Sequence, residues 1–234
     1  MDQPVSRSPA SVSEQSLNAR MRTAVLISGR GSNLSALIEA CARPAASAAI
    51  ALVISNRSDA LGLQHARAAG IPVETIDHRR FQGREEFDRA LSQALEARAI
   101  ELVCLAGFMR VLSGWFAERW RDRLLNIHPS LLPAFPGLDA HSRALAAGVR
   151  FSGCTVHFVR AEVDAGPIVV QGVVPVRQDD TPETLAARVL QAEHRCYPLA
   201  LDLVASGRVR IVGERALIDG AATPETIVIN PETA

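Results

Sequence analysis

Thr23-Ala-Val-Leu-Ile-Ser28 runs directly into Gly29-Arg30-Gly31-Ser32-Asn33-Leu34, and the reading of this stretch decides the fold. A short apolar run with β-branched members, closed by a glycine-punctuated turn, reads as a buried strand. The period that follows, from Asn33 to about Cys41, reads as a helix. The same order recurs downstream. Ala48 to Ser55 is a second strand, Leu61 to Ala69 a helix closed by Gly70, and Val73 to Ile76 a short strand. Gly83 to Arg98 is a helix and Glu101 to Ala106 a fourth strand. Continuous apolar strands separated by helical periods imply a parallel sheet covered on both faces. The chain's 234 residues suit one α/β domain with a full core.

Beyond Leu124-Leu-Asn-Ile-His128, a further buried strand, the pattern changes. Leu131 to Gly137 is a proline-bounded loop and His141 to Ala147 a short helix. Gly153 to Val159 and Ile168 to Val176 read as antiparallel strands around a turn at Asp164. A long helix opens at Thr181-Pro182-Glu183-Thr184, with Thr181 as N-cap and Pro182 in the first turn. Thr184 stands where a capping box takes an acid. The helix runs to about Ala205 and stops at Gly207, and residues 208–218 suggest two last strands.

Lys plus Arg equals Asp plus Glu at 25 each, the sequence pI is near 7.0, and every one of those bases is arginine. Neutral charge argues against nucleic acid or an anionic membrane as the main partner. The absence of lysine excludes lysine Schiff-base chemistry and a Walker-type phosphate loop. Cys41, Cys104, Cys154 and Cys196 lack metal-ligand spacing, so the expectation is reduced thiols, no metal and a cytoplasmic setting. Residues 1–20 read as a disordered polar tail rather than a targeting peptide, and 221–234 as a loose tail. No apolar run is long enough to span a bilayer.

Asn126 and His128 alternate with Ile127, so both project from one face of their strand at its carboxyl end. Open α/β sheets bind ligands at that edge. An amide that can donate to a developing oxyanion beside an imidazole that can carry a proton suits acyl transfer. Asp164-Ala-Gly-Pro167 can be a plain hairpin turn; brought near His128, its carboxylate would favour the imidazolium. The Gly29–Asn33 loop can be an ordinary βα turn or can hold one phosphate on the helix N-terminus. Leu34 stands where the dinucleotide fingerprint takes glycine, which disfavours a pyrophosphate. Gly107 to Leu112 can be core packing or the wall of a flat heterocycle. His65, His78, His141, His157 and His194 read as surface or structural, His157 being the nearest to the turn. Arg188 and Glu193 read as a solvated helix face unless that helix borders the pocket.

Six blocks carry a resemblance: Ile27-Ser-Gly-Arg-Gly-Ser-Asn-Leu34, Ala106-Gly-Phe-Met-Arg-Val-Leu112, Asn126-Ile-His-Pro-Ser-Leu-Leu-Pro133, Thr155-Val-His-Phe158, Asp164-Ala-Gly-Pro167 and Gln191-Ala-Glu-His194. In this order, across residues 22 to 220, the chain resembles the folate-dependent formyltransferases of the glycinamide ribonucleotide transformylase type. The resemblance implies an α/β fold with a Rossmann-like N-terminal half in a single, mostly parallel seven-stranded sheet flanked by helices. It also implies one domain over 21–220, with a phosphate-binding half at 21–120 and a catalytic and folate-binding half at 121–220. Asn126, His128 and Asp164 match the family's catalytic trio. Gly31, Ser32, Asn33 and Glu193 match its ribonucleotide contacts. Arg84, Met109, Arg110, Val111 and Leu112 match its folate contacts, together with Asn126 and the loop of Arg160, Ala161, Glu162, Val163 and Asp164. Leu190 departs from the family, which often has a polar side chain near the phosphate.

The implied reaction moves formyl from 10-formyltetrahydrofolate, a co-substrate, to the amine of glycinamide ribonucleotide. Small molecules would be the only partners, with a monomer or homodimer as the assembly. Formyltetrahydrofolate deformylase is the nearest rival, but it normally has a regulatory N-terminal domain for which the polar tail leaves no room. Methionyl-tRNA formyltransferase needs a C-terminal tRNA-binding domain and a basic surface that are not evident. Sugar-nucleotide formyltransferases, and a non-catalytic folate- or nucleotide-binding module, are the remaining alternatives.

Overall fold

Alternation along the first strand, β1 (Met21–Ile27), divides the core between the two faces of one sheet. Val25 and Ile27 point one way, with Leu34, Leu37, Leu63, Val189 and Tyr197; Ala24 and Leu26 point the other, with Phe87, Leu91, Leu95, Phe116 and Trp120. Side chains of successive strand residues alternate in this way because the backbone is pleated with period two. The computed structural model describes residues 20–222 and 224–231, so the expectation for the N-terminal tail lies outside the described residues except at Arg20.

After β1 come α1 (Ser32–Cys41), β2 (Ala48–Ser55), α2 (Gly62–Ala68), β3 (Val73–Thr75), α3 (Arg84–Ala97), β4 (Leu102–Leu105), α4 (Gly114–Arg119) and β5 (Leu124–His128). The chain continues through α5 (Ala140–Ala146), β6 (Phe151–Phe158), β7 (Ile168–Pro175), α6 (Pro182–Ala205) and the hairpin β8 (Val209–Val212) and β9 (Arg215–Ile218). The sheet order is β3-β2-β1-β4-β5-β6-β7, and β8-β9 form a separate two-stranded sheet. All pairs from β3 to β5 are parallel, while β6 runs antiparallel to both neighbours. The fold is the seven-stranded, mostly parallel α/β sheet expected from the sequence.

Two elements differ from the sequence reading. Helix α4 was not expected: it is six residues long, begins with glycine, and depends on the Ser113 hydroxyl accepting from Phe116 N–H. At the start of α6, Thr184 completes the capping box without an acid, its hydroxyl accepting from Thr181 N–H while the Thr181 hydroxyl accepts from Thr184 N–H. The described residues after Gly220 lack regular structure, but Asn230 Nδ2 donates to the carbonyls of Arg150 and Val176 and ties that segment to the ends of β6 and β7.

Candidate active site

Strand β4 ends opposite Asn126, since Leu105 pairs with it, so β5 overshoots its parallel neighbour by two residues. Asn126 and His128 thus stand on an open face at the carboxyl edge. Nearby loops are pinned by buried Ser28, whose hydroxyl donates to Asn56 Oδ1 at 2.7 Å and accepts from Met109 N–H at 2.8 Å. Its own N–H donates to the Gly107 carbonyl. The glycine loop after β1 and the 107–112 loop after β4 are in this way one unit.

Asp164 lies against His128: Oδ2 is 3.2 Å from Nδ1, with both side chains almost enclosed. The same Oδ2 accepts from Gly137 N–H at 2.7 Å, and His128 Nε2 is 2.9 Å from the Phe135 carbonyl. Both ring nitrogens therefore face oxygen acceptors, an arrangement that the imidazolium with its two N–H donors satisfies in full. Asp164 has φ +52°, in the left-handed region that Asp tolerates better than most residues. Gly166 has no substitute in this turn, because a Cβ there would lie 2.2 Å from the Phe158 carbonyl oxygen. Asn126 is half-buried, its Nδ2 3.3 Å from Nε2 of fully buried His157. Burial, the larger influence, pushes the His157 imidazole below its usual range, and the positive field of His128 adds to it.

On the other face, Gly31 caps α1 with φ +79° and an ideal Cβ position 2.6 Å from Gly62 Cα, so only glycine lets the two segments approach. Ser32 opens α1, where unpaired helix N–H groups face outward. Asn33 is buried and its Nδ2 donates to Glu193 Oε2 at 2.7 Å, while its Oδ1 lacks a protein partner. Burial pushes the Glu193 carboxyl above its usual range, opposed by the Asn33 hydrogen bond. The solvated-face reading is thereby corrected for Glu193, which is 8 % exposed on the inner stripe of α6. Arg188 is not a free surface cation either, being paired with Asp180 at 2.7 Å. Half-buried Leu190 offers no polar atom from its side chain.

Arg84 is the exposed first residue of α3. Met109 and Val111 are exposed, Leu112 is half-buried, and Arg110 lies over the Phe87 ring with Nε unpartnered. Across the site, Ala161, Glu162 and Val163 are exposed. Arg160 is not free: its guanidinium pairs with Asp122 and Glu214, each at 2.8 Å, and ties the loop to the β8-β9 hairpin. Exposed Leu138 beside Gly137 extends the apolar rim. A groove of about 740 Å³ between α1 and α6 shares only Ser32 with this constellation, and none of the trio lines it. Among the described residues, no group of three or more His, Cys, Asp or Glu side chains is placed to hold one metal ion. No described helix is long and apolar enough to cross a membrane.

Sequence reasoning gave no role to Ser28 or Thr155, although both lie in the matching blocks, and did not single out Asn56 or Gln171. Thr155 Oγ donates to the Ser130 carbonyl and accepts from Leu132 N–H and Gln171 Nε2, which fixes the loop leaving β5. A polar residue at mid-strand facing a proline-rich loop was the available signal for Thr155. The backbone groups of Phe135 and Gly137 had none.

A family profile described as "Formyl transferase" matches residues 21–201. The trifunctional purine biosynthetic protein adenosine-3 of Gallus gallus is 55% identical over 199 residues, 85% of this chain but 20% of that protein. This chain thus spans about a fifth of the length of such trifunctional relatives. The phosphoribosylglycinamide formyltransferase of Escherichia coli K12 is 45% identical over 204 residues, covering 87% of this chain and 96% of that one. Among solved structures, glycinamide ribonucleotide transformylase 1 from Symbiobacterium toebii superposes with TM-score 0.83 at 49% identity, covering 86% of this chain and 94% of that one. A formyltetrahydrofolate deformylase from Pseudomonas syringae is more distant, at 25% identity with TM-score 0.79 and 66% of its own chain covered.

Proposed function

The chain belongs to the formyl transferase family, and we propose that it transfers the formyl group of 10-formyltetrahydrofolate to the amine of glycinamide ribonucleotide. The products are formylglycinamide ribonucleotide and tetrahydrofolate, a step of purine biosynthesis. The observation that carries the reading is the His128–Asp164 pair, Nδ1 to Oδ2 at 3.2 Å, on the strand face that also presents Asn126, where β5 overshoots β4.

In this reading the neutral amine attacks the formyl carbon directly. The carbonyl becomes a tetrahedral oxyanion, stabilised by an Asn126 N–H and by the His128 cation held against Asp164. For His128 to donate directly, Nε2 exchanges the Phe135 carbonyl for the formyl oxygen. The amine's proton then reaches the departing folate nitrogen and the C–N bond to the cofactor breaks. Neither a covalent enzyme intermediate nor a metal takes part in this scheme.

The ribonucleotide phosphate is assigned to the backbone of Gly31, Ser32 and Asn33, and its ribose hydroxyls to Glu193. With Leu190 apolar, backbone amides or an arginine supply the phosphate contact that a polar side chain there would make. Folate is assigned to Arg84, to residues 109–112 and to the 160–164 loop, whose contribution at Arg160 is backbone, since its side chain is engaged elsewhere. The enzyme is taken to act on small molecules in the cytoplasm, as a monomer or homodimer, with the 21–120 half holding phosphate and 121–220 the reacting groups.

Incubation with 10-formyltetrahydrofolate, with and without glycinamide ribonucleotide, tests the proposal. Formylated ribonucleotide, and folate product only when the ribonucleotide is present, is expected. Release of formate without the acceptor makes the chain a deformylase instead, and turnover in neither case makes it a binding module.

A further inference from the structure

We propose that His157 is a positioning residue for Asn126: as the neutral tautomer protonated on Nδ1, it accepts from the Asn126 amide and fixes which edge of that amide faces the reacting carbonyl. This rests on the formyl-transfer reading for its kinetic consequence, though not for its geometry. Asn126 and His157 are directly opposed across the antiparallel β5-β6 pair, so their side chains share one face. The β6-β7 register shifts beside this point, between Val156 and His157, a local irregularity of the kind that re-aims a side chain next to a site.

The tautomer follows from the partners. Nδ1 lies 3.0 Å from the Phe158 carbonyl oxygen, which can only accept, so Nδ1 carries the hydrogen. A neutral ring then presents a lone pair at Nε2, 3.3 Å from Asn126 Nδ2. Only the NH2 edge of the amide complements that lone pair; the flipped amide would set oxygen against nitrogen with no hydrogen between them. One Nδ2 hydrogen is thereby committed to His157, and the second is held at a fixed angle for an oxyanion. Without this anchor the amide is free to rotate and to offer its oxygen, which repels the developing charge.

The ring stays neutral because it is enclosed. His157 is 1 % exposed, and burial, the largest influence, together with the nearby His128 disfavours its cation, while the backbone carbonyls of Phe158 and Ala165 and the Asp164 carboxylate favour it less strongly. His157 touches neither reacting atom in this scheme and acts only through Asn126.

Two measurements test this. In the ligand-free protein, 15N NMR of the imidazoles should show His157 with a protonated Nδ1 and a bare Nε2. In kinetics, His157→Leu, which keeps bulk but removes the acceptor, should lower kcat about 10- to 100-fold with KM for both substrates nearly unchanged. His157→Gln, whose Oε1 can accept in place of Nε2, should recover most of the loss. The double variant N126A/H157L should be no slower than N126A alone, because both act through one donor. An Nε2–H tautomer, an unchanged kcat in a folded H157L, or losses that multiply in the double variant would overturn the assignment. If the wild-type protein fails to formylate glycinamide ribonucleotide, the functional reading falls while the NMR result still decides the orientation of the amide.

Discussion

Replacing Asp164 by Asn removes one charge and changes little else, which makes it the sharpest probe of the proposed mechanism. The left-handed φ of +52° suits Asn as well as Asp. An amide oxygen at the place of Oδ2 can still accept from Gly137 N–H and from His128 Nδ1, so the 134–139 loop keeps its tether. What is lost is the attraction that the proposed mechanism places between the carboxylate and a protonated ring whose Nδ1 lies 3.2 Å from it. With an effective dielectric of about 20 the Coulomb ceiling at that separation is about 5 kcal/mol. The floor, the difference between a charge-assisted and a neutral hydrogen bond, is about 1 kcal/mol. Side chains only 7% and 11% exposed place the pair between these limits. Taking about 1.4 to 4 kcal/mol as the share expressed in the transition state, kcat should fall roughly 10- to 1000-fold. Initial rates with both substrates saturating give kcat, and a thermal melt confirms that the variant is folded. A folded D164N enzyme with wild-type kcat would refute the idea that the charge on His128 is used in the chemistry.

Asn126→Ala should depress kcat about 100- to 1000-fold, the usual loss for one oxyanion donor, with folate affinity little changed; steady-state kinetics and a folate-binding titration separate the two quantities. Gly31→Ala forces a Cβ to 2.6 Å from Gly62 Cα at φ +79° and should cost about 1–3 kcal/mol of stability, read by urea unfolding, and raise KM for the ribonucleotide. Glu193→Gln should show a pH-dependent gain. Burial raises the native carboxyl above the usual 4.5, so between 4.5 and the native value the folded wild type binds more protons than the unfolded chain and loses stability as pH rises. The variant lacks that slope, so the stability difference should move in its favour across that window in urea titrations at stepped pH; parallel curves would argue that Glu193 is not desolvated. Arg160→Ala should loosen the β8-β9 hairpin, seen as faster amide exchange at residues 209–218, and should change folate KM less than Arg84→Ala does; the reverse order would mean that Arg160 is the folate cation.

The sheet was legible because its strands are continuous apolar runs and its helices have clear periods, and the structure moves most boundaries by only a residue or two. Helix α4 was not, since six residues carry too little period to register. Glu193 is instructive, because its residue-level reading as a solvated helix face held only if α6 stayed clear of a pocket. Its neighbours Leu185, Val189, Cys196 and Tyr197 mark the buried stripe of α6, and a carboxylate at helical spacing within that stripe is itself a sign of a polar pocket. His157 could be noticed but not placed, because its partner is set by the β5-β6 register rather than by spacing in the chain. The Phe135 carbonyl and Gly137 N–H are backbone groups, present at nearly every residue and invisible to any reading of side chains.

The separation of His128 and Asp164 in the sequence has its answer in the one reversed strand. Because β6 runs antiparallel to β5, its last residue pairs with Leu125 and the following loop starts at the far end of β5, beside Leu124. A tight turn there would have left Asp164 remote from His128, for β5 rises about 3.3 Å per residue and His128 is its last member. Residues 159–167 instead fold back over the strand face, with Phe158 N–H donating to the Pro167 carbonyl at the base and glycine required at position 166. The loop from the other end, 129–139, folds down to meet it, and the Gly137–Asp164 hydrogen bond joins the two. The reversed strand thus contributes His157 against Asn126, and the loop it forces contributes Asp164 against His128. An all-parallel continuation would send the chain through a crossover and could supply neither partner from the same short segment. Shortening the 159–167 loop by two residues between its anchored ends should therefore abolish turnover while the sheet, whose last β5-β6 residue pair is Leu125 with Phe158, still melts cooperatively; retained activity would mean that the Asp164 carboxylate is dispensable.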